Sequence, residues 1–184
     1  MSYLEIILKN IKIKQMEEVF CNNFKFNTED VISSHFFDSA ENRDLEYQNV
    51  KSLKEYFQVP GSCNVYLKRV TVGMELENAL ILVACDKDYG EITITIEENQ
   101  FEQYCNRRGK LQMLMEKLVG NCQRDMVDTI ILGYEPAEDQ DMKMLEISQN
   151  HIKMYNENIF RSPFAREIFN IAENMKTADW QKHY

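Results

Sequence analysis

A chain of 184 residues with 44% hydrophobic and 28% charged residues has the balance of a globular protein, and its length lets roughly 70% of the unfolded surface be buried without disulfides or a structural metal. The formal net charge of −9 argues against generic nucleic-acid binding, which draws on clustered Lys and Arg. No apolar stretch approaches the roughly 20 residues that a membrane-spanning helix needs, so no membrane association is expected.

Tyr3 to Lys14 reads as a strand. Leu4, Ile6 and Leu8 share one parity and Ile11 and Ile13 the other, so a bulge or turn is expected near Lys9-Asn10. Phe20, Phe24 and Phe26 form an apolar cluster, and Asn27-Thr28-Glu29-Asp30 reads as a turn. Val31 to Phe37 is expected to be a strand. Val50, Leu53 and Phe57 have the spacing of a short helix, stopped at Pro60-Gly61. Cys63 to Gly73 reads as a further strand, again with a parity change between Val65/Leu67 and Val70/Val72.

The clearest element is a hairpin. Ala79 to Cys85 is an unbroken apolar run, the pattern of a strand covered on both faces. Asp86-Lys87-Asp88-Tyr89-Gly90 connects it to Glu91–Glu97, where Ile92, Ile94 and Ile96 alternate with Thr93 and Thr95. Gly90 is expected to supply a positive φ in the connection. Asn99 and Glu102 then open a long helix whose apolar stripe runs through Phe101, Tyr104, Cys105, Leu111, Met115, Leu118, Val119 and Cys122, with Gly120-Asn121 as its expected end. Val127 to Tyr134 reads as a strand and Met142 to Ile147 as its returning partner, joined by the loop Glu135–Asp141. Ser162 and Pro163 start a last helix, with Phe164, Ala165, Ile168, Phe169, Ala172 and Met175 on one face. The expected fold class is α+β, a mainly antiparallel sheet with two substantial helices. One domain over 1–184 is expected, with a C-terminal helix and tail, 163–184, packed on it, where Trp180 is expected to anchor the tail, the alternative being contact with a partner.

Signatures of chemistry are sparse. The six glycines are scattered, which suits neither a phosphate loop nor a serine elbow. His35, His151 and His183 lie far apart in the chain, so no metal site is expected, and nothing calls for a cofactor. The five cysteines, Cys21, Cys63, Cys85, Cys105 and Cys122, are odd in number and lack C-x-x-C spacing, which fits a reducing cytoplasm better than a secreted scaffold. The opening Met-Ser-Tyr-Leu-Glu has no basic segment, so no signal peptide is expected. A cryptic Cys/His or carboxylate site assembled by the fold stays open as an enzymatic alternative.

The acids are unevenly placed. Residues 127–150 carry 1 basic and 6 acidic groups and residues 59–98 carry 3 and 7, whereas 99–126 carry 5 and 3. Two loops stand out as candidate partner-binding sites for a basic protein. One gathers Glu135, Glu138, Asp139 and Asp141 beside Tyr134, and the other holds Asp86 and Asp88 beside Tyr89. Tyrosines next to charges are favoured interface anchors. The second loop has alternating carboxylates, but its glycine falls one place early for a calcium loop and a strand follows, so polar turn residues account for it.

The run Ala79-Leu80-Ile81-Leu82-Val83-Ala84-Cys85-Asp86, then Tyr89-Gly90-Glu91-Ile92-Thr93-Ile94 with a helix after it, together with Gly133-Tyr134-Glu135-Pro136-Ala137, resembles the small acidic immunity proteins of bacterial polymorphic toxin systems. That resemblance implies a cytoplasmic, non-enzymatic protein that binds a cognate toxin, here one with a basic surface, and occludes its active site. It transfers no individual functional residues.

Overall fold

The alternation of Ile92, Ile94 and Ile96 with Thr93 and Thr95 becomes one of nine strands in the computed structural model, which describes residues 2–38, 42–47, 52–101, 108–149 and 151–177. The strands are β1 (Tyr3–Lys12), β2 (Val31–Asp38), β3 (Arg43–Leu45), β4 (Gly61–Val72), β5 (Met74–Cys85), β6 (Tyr89–Glu97), β7 (Thr129–Tyr134), β8 (Lys143–Ser148) and β9 (His151–Met154). They form one sheet in the order β3-β2-β4-β5-β6-β1-β7-β8-β9, and every pairing is antiparallel. The α-helices are α1 (Met16–Asn23), α2 (Leu53–Phe57), α3 (Arg108–Gln123) and α4 (Pro163–Thr177). The expected α+β class, a mainly antiparallel sheet with two substantial helices, is what the chain adopts.

Period-2 patterning decides which face is buried. Leu4, Ile6 and Leu8 of β1, Ile92, Ile94 and Ile96 of β6, and Ala79, Ile81 and Val83 of β5 point to one side, where they join buried residues of α1, α3 and α4 in a single core. α4 buries Phe164, Ala165, Ile168 and Ala172 there, packing on α3 and β9, and Phe164 meets Phe101 at 4.6 Å between ring centroids. Ser162 caps α4 as expected, its Oγ accepting a hydrogen bond from the Ala165 N–H at 3.1 Å.

The parity changes have local causes. In β1 the register shifts between Leu8 and Ile11, where Asn10 adopts φ 55°, so the expected bulge is present. In β4 and β5 the change is shared by both strands. Asn78 adopts φ 49°, both strands turn over beside it, and the pairing sum is kept, with Leu67 opposite Ala79 and Val70 opposite Leu76. Both neighbours therefore keep their apolar residues on the core side.

Four sequence expectations need correction. Ala79–Cys85 is not covered on both faces: Leu82 is 41% exposed, because the helices occupy only the side that Ile81 faces. Gly90 lies inside β6 opposite Cys85 without a positive φ, and its missing side chain leaves room for Met16, whose Sδ would sit 2.4 Å from a Cβ built there. Phe20 belongs to α1, a helix not expected from its spacing. α3 continues through Gly120-Asn121 to Gln123, and Asp125, with φ 56°, follows its end. Asn121 instead faces inward and donates to Asn23 of α1 at 2.6 Å, a satisfied buried polar pair. Val50, Glu102, Tyr104, Cys105, Trp180 and His183 lie outside the described residues.

One-sided burial makes a sharp prediction. Ile81→Asp places an unpaired charge in the core and should abolish cooperative folding. Leu82→Asp, one residue on, should shift stability by no more than about 0.5 kcal/mol. Paired thermal melts of the two variants check the register directly; equal losses would contradict it.

Candidate interaction surface

The seven-residue loop from Glu135 to Asp141 departs from β7 beside the start of β1 and folds back over the outer face of the sheet, the side away from the helices. Ala137 is fully buried there against Ile7 and Ile131, a small second apolar cluster. The Ala137 N–H donates to Glu5 at 2.9 Å, the Glu135 N–H to the Tyr3 carbonyl at 3.0 Å, and the Met142 N–H to the Asp139 carbonyl at 2.9 Å. Asn156 Nδ2 donates to the Gln140 carbonyl at 2.7 Å. The loop backbone is thereby fixed, while the side chains of Glu135, Glu138, Asp139 and Asp141 stay exposed.

Among the described residues, Glu138 is the one of these acids that meets a cation. Lys9, on the outer face of β1, pairs with Glu138 and lies 3.5 Å from Glu91 of β6. The hydrogen bond to Glu138 leads the causes that raise the Lys9 pKa, outweighing burial, so the amine stays charged. Asp139 and Asp141 form no described ion pair.

Tyr134 does not lie on that exposed rim. Its ring stacks on Phe160 at 5.0 Å, and its hydroxyl donates to Glu98 and sits 2.9 Å from Ser162 Oγ. Burial first, then the Glu98 carboxylate, pushes the phenol pKa well up. Tyr134 thus ties the end of β7 to the segment leading into α4. Gly133 completes the base of the loop: a Cβ there would meet the Met142 carbonyl oxygen at 2.5 Å.

The second candidate loop lies elsewhere. Tyr89 pairs with Lys12 whereas Tyr134 pairs with Leu4, so the loops sit at opposite ends of β1, about 26 Å apart at the rise of a strand. Asp86 Oδ1 accepts from the Lys87 N–H at 2.7 Å and the Asp86 N–H donates to the Tyr89 carbonyl, which closes the turn. Asp88 gives its carbonyl to the Ile13 N–H at 3.0 Å. Tyr89 is 52% exposed and borders a cavity of about 370 Å³ with Lys12, Asp125 and Asp128. The structure does not unite the two groups of residues in one site.

A cleft of about 580 Å³ beside α1 was not legible in the sequence beyond the Phe20, Phe24 and Phe26 cluster that forms its apolar wall. Arg69 donates to Asp30 at 3.1 Å on its rim. Burial would raise the Asp30 pKa, but the Asn27 backbone N–H and Arg69 together hold it below the usual carboxylate range.

Three of the described thiols, Cys63, Cys85 and Cys122, are poorly placed for nucleophilic chemistry. Burial pushes Cys63 and Cys122 up to about 12 and Cys85 up to about 11, so each is protonated at neutral pH. His35 on β2 and His151 on β9 stand seven strands apart in the sheet. Among the described residues no three His, Cys, Asp or Glu side chains converge as metal ligands, and no described helix is long and apolar enough to cross a membrane.

A family model, the PABL017 Cdi1I immunity protein, matches residues 2–150, a span from β1 through β8 that contains both acidic loops. The chain belongs to this immunity protein family. Membership bears out the reading of the sequence as a toxin-neutralising immunity protein. A chain of the 1.75 Å crystal structure of the toxic C-terminal tip of CdiA from Pseudomonas aeruginosa in complex with immune protein has a similar fold, with a TM-score of 0.53 and 16% identity over 79% of this chain and 94% of that one. No curated protein matches the sequence of this immunity protein.

Two outcomes are expected from this geometry. Gly133→Ala drives a methyl into the Met142 carbonyl and should cost about 1–3 kcal/mol in chemical denaturation by forcing the loop base apart; an unchanged midpoint would show that the base yields freely. In the native protein, iodoacetamide should modify Cys21, the exposed one of the described thiols, well before Cys63, Cys85 or Cys122, as read by peptide mass spectrometry after short pulses.

Proposed function

We propose that this immunity protein neutralises a cognate toxin by occluding it, and that the acidic loop Glu135–Asp141 is part of the contact. The observation that carries this reading is the loop's combination of a pinned backbone and exposed carboxylates. A loop already fixed by hydrogen bonds loses little conformational freedom on binding. Four carboxylates on such a frame attract a partner with a basic surface, over a range of about 10 Å at 0.1 M salt. On this reading Tyr134 holds the loop in place from below, and Asp86, Asp88 and Tyr89 belong to a separate end of the molecule. The setting is the cytoplasm, where an exposed thiol such as Cys21 remains reduced.

The test is kinetic. Asp139→Lys combined with Asp141→Lys leaves the Lys9–Glu138 pair intact, so the loop should keep its shape. Association with the cognate toxin domain should slow by roughly tenfold at low ionic strength, and the deficit should shrink in high salt, because rim charges act mainly on encounter. Identical association rates for wild type and the double variant at low salt would remove the loop from the interface.

A further inference from the structure

We infer that the cognate toxin domain seats on the bare outer face of the sheet over β4, β5 and β6, with the acidic loop forming one wall of that seat; this rests on the reading of the protein as a toxin-binding immunity protein. The face begins where the loop ends. Ala137 covers Ile7 and Ile131, and the cross-strand row that contains them continues through Thr93 and Leu82 to Asn64. No described residue covers Leu82, which is 41% exposed two strands, about 10 Å, from Ile7.

The composition of the face fits a partner better than water. Leu80, Leu82 and Ala84 all point outward from β5, the strand whose sequence has the unbroken apolar pattern of an element covered on both sides. The described residues cover only one. The flanking outward residues are neutral: Asn64 and Tyr66 lie opposite Leu82 and Leu80 on β4, and Thr93 and Thr95 lie opposite them on β6. Charges begin at the border, where Glu91 and Glu97 lie on β6, Glu5 on β1, and Glu138 and Asp139 in the loop. An apolar stripe within neutral polar residues and then a charged rim is the anatomy of a protein interface.

The rim also selects the occupant. Of the cations near this face, Lys9 on β1 is engaged by Glu91 and Glu138 and Lys12 by Asp125, and Lys68 on β4 is exposed; set against Glu5, Glu91, Glu97, Glu138 and Asp139, the border keeps net negative charge. A second copy of this chain, with a net charge of −9, would bring like charges together over the same stripe. A domain presenting an apolar knob ringed by Lys and Arg would satisfy both stripe and rim. The toxin domain is therefore assigned to this face.

Leu82→Lys tests the assignment on the full chain. The substitution leaves the core side untouched, so thermal stability should match wild type. It removes the centre of the stripe and adds a like charge toward a basic partner, so Kd for the cognate toxin domain, measured by calorimetry, should rise at least about 30-fold. Wild-type affinity in Leu82→Lys, with affinity lost only in Asp139→Lys/Asp141→Lys, would confine the interface to the loop and overturn the seat. A wild-type dimer in sedimentation velocity that Leu82→Lys dissolves would hand the face to a second copy. A drop of many degrees in the melting temperature of Leu82→Lys would show that the chain itself covers Leu82, and would also overturn it. Failure of the wild-type protein to bind the toxin domain at all would instead defeat the underlying function.

Discussion

One row of aligned side chains holds the molecule in register. Val65, Ile81, Ile94, Ile6, Leu132 and Leu145 lie opposite one another across β4, β5, β6, β1, β7 and β8, each at most 1% exposed. Each such side chain contributes about 1.5–3 kcal/mol on burial. Because side chains alternate with period 2, slipping any one strand by a residue would carry its whole apolar set out of the core. The neighbouring outward row is fixed by the same constraint. Asn64, Leu82, Thr93, Ile7, Ile131 and Glu146 have no freedom to rearrange as long as the inner row stays packed. A core interaction on one face thus determines the chemistry offered on the other.

The outer face is unevenly finished. Near β1 and β7 the Glu135–Asp141 loop buries Ile7 and Ile131, and over β8 the Lys143 amine pairs with Glu146 at 3.0 Å. That hydrogen bond outweighs burial and, with Tyr155, holds the Glu146 carboxyl below its usual range. Toward β5 such internal pairing gives way to a stripe of leucines. A half-solvated antiparallel sheet normally places polar residues on its wet side, as β6 does with Thr93 and Thr95. The departure in β5 is local, and it lies beside the loop with the densest acidity.

How far the sequence reveals this depends on whether a signal is local. The β5–β6 hairpin and the Ser162–Pro163 helix start were legible because alternation and capping act over a few residues. The bulge at Asn10 was legible for the same reason. α1 was not: Met16–Asn23 is eight residues long, and Phe20 and Phe24 continue into Phe26 beyond its end, which obscures the helical period. β9, at four residues with two of them exposed, carries too little pattern to read. Gly90 looked like a turn glycine because it follows Asp88-Tyr89, but its role is set by Met16, more than seventy positions away. The acids of the loop could be counted in the sequence. Their pinned backbone could not, since it depends on Tyr3, Glu5 and Asn156. Most instructive is Leu82. An unbroken apolar run says that both faces of a strand avoid water, and it does not say which molecule does the covering.

That ambiguity has a physical resolution in a protein whose work is binding. Charges at a rim act at a distance and chiefly govern how fast two proteins meet; desolvated apolar groups act on contact and chiefly govern how slowly they part. A protective protein needs both, because a toxin must be met quickly and then held. The two requirements conflict if they are met by the same residues, since a carboxylate in the dry centre of an interface loses its hydration and a leucine at the rim does no steering. On the proposed reading, carboxylates on a hydrogen-bonded loop and leucines on a strand nearby separate the two tasks by about two strand spacings, roughly 10 Å. The sheet is what makes the separation rigid. With the inner row locked, loop and stripe keep a fixed relation before any partner arrives, so little of the binding energy is spent on bringing them into place.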